Sequence, residues 1–291
     1  MKNQANRKLI SNAVFLYLMT TSIQILNLLT VPYLSRVLGP TEYGQIGLAL
    51  GYMAYVQIIL DFGFTLYATK KISENKTDKC KIEYIITAVT FIKVILAVCL
   101  GVVFLLFLYI NVFDVTLMTI LQVYLLGYLI TALLPDFYYR GMENMKSIAL
   151  RTLIVRVLFT LLIFLCVRKK EDIMFVPVCF LVGSILAFII TAADIRWKKQ
   201  ITFRWPGRKY VMSMVRSAFP YFTSRFASTF YQALNVIIIG KIYGTAPEVG
   251  YYTSSDKCLS LVKMGSSPIA DSLYPYMLNY YGWCNYYRNL R

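Results

Sequence analysis

The sequence predicts an all-α, polytopic membrane helix bundle: a complete six-helix half, then the first two helices of a second half laid out in parallel. Three observations carry this. Hydrophobic residues make up 58% of the 291 and mean hydropathy is +0.59, both well above the soluble range. The few charges are clustered, which leaves apolar runs long enough to cross a hydrocarbon core of roughly 30 Å. The third is a polar pattern written twice. Thr20, Thr21, Gln24, Leu26, Asn27, Arg36, Gly39, Glu42 and Gly44 are echoed in order by Ser228, Thr229, Gln232, Leu234, Asn235, Lys241, Gly244, Glu248 and Gly250, with a three-residue gap and a one-residue insertion. So many polar matches in an apolar chain indicate a duplicated architecture.

Eight spans are predicted, at about 9–35, 45–67, 84–110, 115–135, 147–167, 173–193, 217–240 and 251–277. They are helices, because an open set of strands in lipid would leave backbone groups unpaired. Lys2, Arg7 and Lys8 precede the first, as in a signal peptide. The apolar run to Leu34 is too long for that and lacks a small-x-small cleavage site, so it reads as the first membrane helix. Cations then set the orientation. One side collects Lys70, Lys71, Lys76, Lys79 and Lys81, then Arg140 and Lys146, then seven Lys/Arg between Arg196 and Arg216; the other holds only Arg36, Arg168, Lys169, Lys170 and Lys241. The positive-inside rule predicts a cytoplasmic N-terminus.

The first and seventh spans therefore run in the same direction, as in transporters whose halves are related by an axis along the membrane normal. The expected division is residues 1–200 for the first half, 201–277 for the start of the second, and 278–291 for an aromatic tail. Completing the second half would take on the order of 120 further residues at the spacing of the two copies. The tail after Pro275, rich in Tyr and Trp, reads either as a headgroup-level belt or as a premature stop after a frame change. The downstream DNA, read in all frames, separates the two.

Composition excludes several functions. With no histidine, His-based acid–base catalysis and the commonest metal ligand are gone. The six cysteines contain no Cys-x-x-Cys pair and fall mostly in apolar segments, where a thiol packs as a small hydrophobe. No catalytic residue, metal site or cofactor is expected. The net charge of +16 lies in short loops rather than in a basic domain, so nucleic acid is not the expected partner.

The motifs Arg36-Val-Leu-Gly39-Pro-Thr-Glu-Tyr-Gly44, Asp61-Phe-Gly-Phe64 with Ala68-Thr-Lys-Lys-Ile-Ser73, Asp136-Phe-Tyr-Tyr-Arg140-Gly-Met-Glu143 and Val249-Gly-Tyr-Tyr252 resemble Wzx-type polysaccharide flippases. These belong to the multidrug/oligosaccharidyl-lipid/polysaccharide transporter superfamily. The resemblance covers roughly residues 5–277. It implies a MATE-like bundle of two six-helix halves in the bacterial inner membrane. It also implies movement of undecaprenyl-diphosphate-linked oligosaccharide repeat units for O-antigen or other surface polysaccharide, beside a polysaccharide polymerase and chain-length machinery. The shortened second half departs from the family pattern.

Moving such a cargo makes and breaks no bond. It needs polar stripes facing a wet route and a few buried charges for the anion. The seventh span has a stripe at Tyr221, Arg225, Ser228, Gln232 and Asn235, and the first span has Tyr17, Thr20, Gln24 and Asn27, each on one helical face. These are either cavity walls, with Arg225 for phosphate, or polar contacts between helices. Lys93 and Arg156 either face the cavity or snorkel to the interface. Asp61, beside Gly63, caps a helix or joins Asp271 as an ion-coupling candidate. Pro32, Pro220 and Pro268 are expected to loosen their helices. The Arg36–Gly44 motif and its echo read as tight turns with a Glu–cation pair.

Three rivals remain: a MATE-like cation or drug exporter, which would need cavity carboxylates; a membrane glycosyltransferase, polymerase or ligase, which would need a large outer loop; and an inactive truncated flippase. The intramembrane cations outnumber Asp61 and Asp271, which favours an anionic cargo.

Overall fold

The computed structural model describes residues 2–110, 114–243 and 247–259. Helix α1 (Lys2–Asp61) carries the first two predicted spans as one run broken at Gly39, where φ is 81° and ψ 170°. Pro40 follows directly and opens the second arm, a position where its missing N–H costs nothing. The loop expected around residues 36–44 is therefore a single-residue elbow. It is packed rather than solvated, with Leu38 and Tyr43 buried beside it. No Arg36–Glu42 ion pair forms among the described residues, and Arg36 is exposed. The expected Glu–cation pair is not made in this first copy.

The second span ends earlier than the predicted residue 67. Phe62 and Gly63 both adopt left-handed φ, 44° and 73°, and a new helix, α2 (Phe64–Glu74), starts. Gly63 is also where α8 approaches: a Cβ there would lie 2.6 Å from the Phe222 amide nitrogen and 2.9 Å from the Ala218 carbonyl oxygen. Only glycine satisfies both the conformation and the contact.

Helix α3 (Lys79–Ile110) is capped by Asp78, which accepts the Lys81 N–H at 3.1 Å and pairs with the Lys81 amine at 3.3 Å. That backbone hydrogen bond, with the neighbouring amine, holds the Asp78 carboxyl below the usual carboxylate range. Then come α4 (Val115–Ala132), the short α5 (Asp136–Gly141), α6 (Met145–Cys166), a 3₁₀ turn (Lys170–Met174), α7 (Phe175–Ala193), a π turn (Asp194–Lys199) and α8 (Arg208–Tyr243). A last helical segment covers 247–259. Pro32 and Pro220 stay inside their helices. Ser35 and Thr223 hydroxyls donate to their carbonyls at 3.1 and 2.9 Å.

Helix α1 packs on α4, α6 and α8, and α7 packs on α4 and α6. One buried cluster gathers around Leu38, Met53, Leu121 and Ile163, and a second around Phe64, Ile72, Ile86 and Phe137. The outer faces carry exposed apolar residues such as Val98, Val102 and Leu106 on α3 and Leu161 and Leu165 on α6. In water that would be a liability; in a bilayer it is the expected exterior. Five helical stretches among the described residues are long and apolar enough to cross a membrane, the first spanning Thr21–Glu74. The seventh predicted span lies within α8, whose cations and polar stripe lower its hydropathy; the eighth is described only to residue 259.

The two motif copies meet. A Cβ on Gly250 would strike the Pro40 carbonyl, and one on Gly240 would strike Leu48. The segment before α8 is tied down at α3: the buried Glu83 accepts the Thr202 N–H at 3.0 Å and meets Arg204 Nε at 3.2 Å. The Arg204 N–H donates to Thr87 Oγ1 at 3.0 Å, and Trp205 packs edge-on against Phe91.

Candidate functional site: a charged cavity inside the bundle

The helix break at Phe62–Gly63 places Asp61 at the end of α1 with its carboxylate turned to a cavity of about 370 Å³. The walls come from α1, α2, α3, α4, α5 and α8, and carry Asp61, Lys93, Asp136, Arg140 and Arg225 with the hydroxyls of Thr65, Thr131 and Thr229.

Asp61 is the hub. It accepts the Thr65 N–H at 3.3 Å and the Thr65 hydroxyl, which makes it the cap of α2. It also lies 3.8 Å from Lys93 Nζ and 3.9 Å from an Arg225 nitrogen. Asp61 thus caps α2 and also lines the cavity. Lys93 is 5% exposed and sits over the Phe137 ring at 5.7 Å, so it does not snorkel. At such a distance two unit charges attract by about 4 kcal/mol for an effective dielectric near 20, which offsets part of the cost of burying the ammonium.

Arg225 is half exposed, at 51%. The sequence left Arg225 as either a phosphate contact or a polar contact between helices. The structure places an internal carboxylate, Asp61, beside it at 3.9 Å, and Arg225 lines the cavity.

Asp136 and Arg140 were missed as site residues, although both stand in the Asp136–Glu143 motif. Asp136 is anchored from behind by Arg151, buried at the base of α6, which bonds Asp136 at 2.7 Å and Thr191 Oγ1 at 2.9 Å. The cavity thus holds three cations and two carboxylates, a smaller cationic excess than composition implied.

Gln24, Asn27 and Arg156 lie elsewhere, in a second polar region on the Gly39 side of α1. Asn27 Nδ2 donates to Gln24 Oε1 at 3.0 Å, so these amides partly satisfy each other. Tyr128 lines both this region and the Asp61 cavity. Asn235 is half-buried in α8 and lines neither. The side chains of Thr20, Ser228 and Gln232, and the whole of Asp271, lie outside the described residues. No group of His, Cys, Asp and Glu able to hold a metal occurs among the described residues.

Apolar-faced helices enclosing a charged, hydroxyl-lined cavity define a polytopic membrane protein with a polar interior. Over residues 9–280 the chain matches the family described as polysaccharide biosynthesis protein, and it belongs to that family. Two curated relatives are each named "Putative O-antigen transporter". One, from Escherichia coli (strain K12), is 28% identical over 91% of this chain and 63% of its own length. The other, from Shigella dysenteriae, is 23% identical over 91% of this chain and 66% of its own length. The chain therefore spans about two thirds of the length of the relatives it matches. No solved structure matches it.

Proposed function

We propose that the protein translocates undecaprenyl-diphosphate-linked oligosaccharide repeat units across the bacterial inner membrane for O-antigen or related surface polysaccharide. The Asp61–Lys93–Arg225 cavity supports this most directly. It offers cations for a diphosphate and hydroxyls for sugar, inside a bundle whose outer faces suit lipid. The cavity's excess of cations over carboxylates favours an anionic cargo over the cationic drugs of a MATE-like exporter. The family and the transporter names of the two relatives agree with this reading.

In a strain lacking its own O-antigen transporter but supplied with the matching glycan genes, the chain is expected to restore surface glycan. Arg225→Gln should lower that signal about ten-fold or more, the worth of one charge-assisted hydrogen bond, with membrane insertion unchanged. Unaltered glycan would remove Arg225 from the site. No glycan from well-inserted unmutated chain would sink the transport reading and leave the inactive flippase.

The same reading places the N-terminus and the cation-rich side in the cytoplasm. A cysteine tag introduced beside Lys198 should resist a membrane-impermeant maleimide in intact cells and react after lysis. Labelling from outside would invert the topology and separate the two repeats from the arrangement proposed.

A further inference from the structure

We propose that Arg156 and Lys257 form a second phosphate-binding station, on the far side of Tyr128 from the Asp61 cavity. This rests on the transport reading above. Two adjoining cavities of about 290 and 220 Å³ share Asn27, Arg156 and Lys257 along their walls. Asn27 lies in the first sequence copy and Arg156 on α6, and Lys257 lies just after the second copy, in the segment 247–259.

Two buried atoms there have no hydrogen-bond partner, Asn27 Oδ1 and Arg156 Nε. Buried polar atoms are nearly always bonded, so the Arg156 Nε–H left without a partner points to an anionic acceptor, while Asn27 Oδ1, itself an acceptor, would take a donor such as a sugar hydroxyl. Arg156 also lies over Phe159 at 5.1 Å, which holds the guanidinium plane in place and leaves its edge for a forked contact with phosphate oxygens. Asp256 lines the same wall, so the site carries two cations against one carboxylate and suits an anion of modest charge. Tyr128 is braced by Phe180, with ring centroids 5.0 Å apart, and faces both stations. A phosphate leaving Lys93 and Arg225 would pass this phenol before reaching Arg156 and Lys257.

The full chain, purified in an uncharged detergent, would be titrated calorimetrically with inorganic pyrophosphate. Two saturable sites are expected. Arg156→Gln with Lys257→Gln should weaken one of them about ten-fold or more, and Lys93→Gln with Arg225→Gln the other. The charge-keeping pair Arg156→Lys, Lys257→Arg should retain both, which excludes misfolding as the cause. A single site insensitive to the Arg156/Lys257 pair would overturn the second station and leave the Asp61 site standing. No binding at either site would overturn this inference together with the anion-transport reading. Repeating the titration in nanodiscs with and without phosphatidylglycerol separates the sources of the phosphate. Loss of only the second site with the anionic lipid assigns it to a lipid headgroup, and retention assigns it to the cargo; both support a phosphate station.

Discussion

Lys93→Met is expected to lower surface glycan export about ten- to hundred-fold while the protein still inserts and is retained in the membrane. Methionine keeps most of the side-chain volume and removes the charge that lies 3.8 Å from Asp61. Asp61 keeps its Thr65 contacts and the Arg225 guanidinium, so the carboxylate is not stranded and the fold should hold. The lost interaction with an anionic cargo corresponds to about 1.5–3 kcal/mol, a ten- to hundred-fold effect. A second substitution decides what Lys93 does. If Lys93 served only to neutralise Asp61, Lys93→Met combined with Asp61→Asn would regain export, because the unpaired carboxylate would be gone. Export should instead stay low in the double variant, read as surface glycan per inserted protein. Recovery would make the pair a packing device and withdraw Lys93 from the passage.

The largest stability effect is expected at Arg151, a residue the transport reading does not use. Its guanidinium is buried and holds both Asp136 and Thr191. Arg151→Met fills much of the space but leaves Asp136 facing the cavity without its nearest cation. Removing one partner of a buried pair costs about 3–5 kcal/mol. The expected result is a lowered melting temperature in detergent and reduced membrane abundance. Asp136→Asn added to Arg151→Met should recover part of the loss, since it removes the stranded charge. A melting temperature equal to that of the unmutated chain would mean that Asp136 is satisfied by Arg140 across the cavity, and that the α6 anchor is dispensable.

Much of this architecture was legible in the residue order, and the reasons are local. Apolar runs with clustered charges dictate helices that cross a bilayer, whatever their neighbours. The repeated pattern from Thr20 and from Ser228 is a spacing, and spacing survives without coordinates. What it concealed was the sharpness of the elbow. Arg36 to Gly44 reads as a loop by its polar content, yet one glycine in a left-handed conformation, followed by Pro40, turns the chain inside a packed core. The break at Phe62–Gly63 was hidden for a related reason. Phenylalanine gives no sign of a left-handed φ, and the close approach of α8 that demands Gly63 comes from far along the chain.

The site divides the same way. Arg225, Lys93, Asp61 and Arg156 stood out one by one because a charge inside an apolar span is costly. Nothing in their spacing showed that three of them share a cavity while Arg156 lies beyond Tyr128 with Lys257. Asp136 and Arg140 sit at the border of a span, where charges are ordinary, and they became site residues only when α5 folded against α2.

By itself, the order of residues determined that this chain is a helical membrane protein with a polar pattern written twice and cations inside its apolar spans, because hydropathy, period and repeat are properties of the chain alone. Which charges neutralise one another, and which remain turned to a cavity, was decided by tertiary packing. Ion pairs between separate helices depend on distances of a few ångströms that no local pattern encodes.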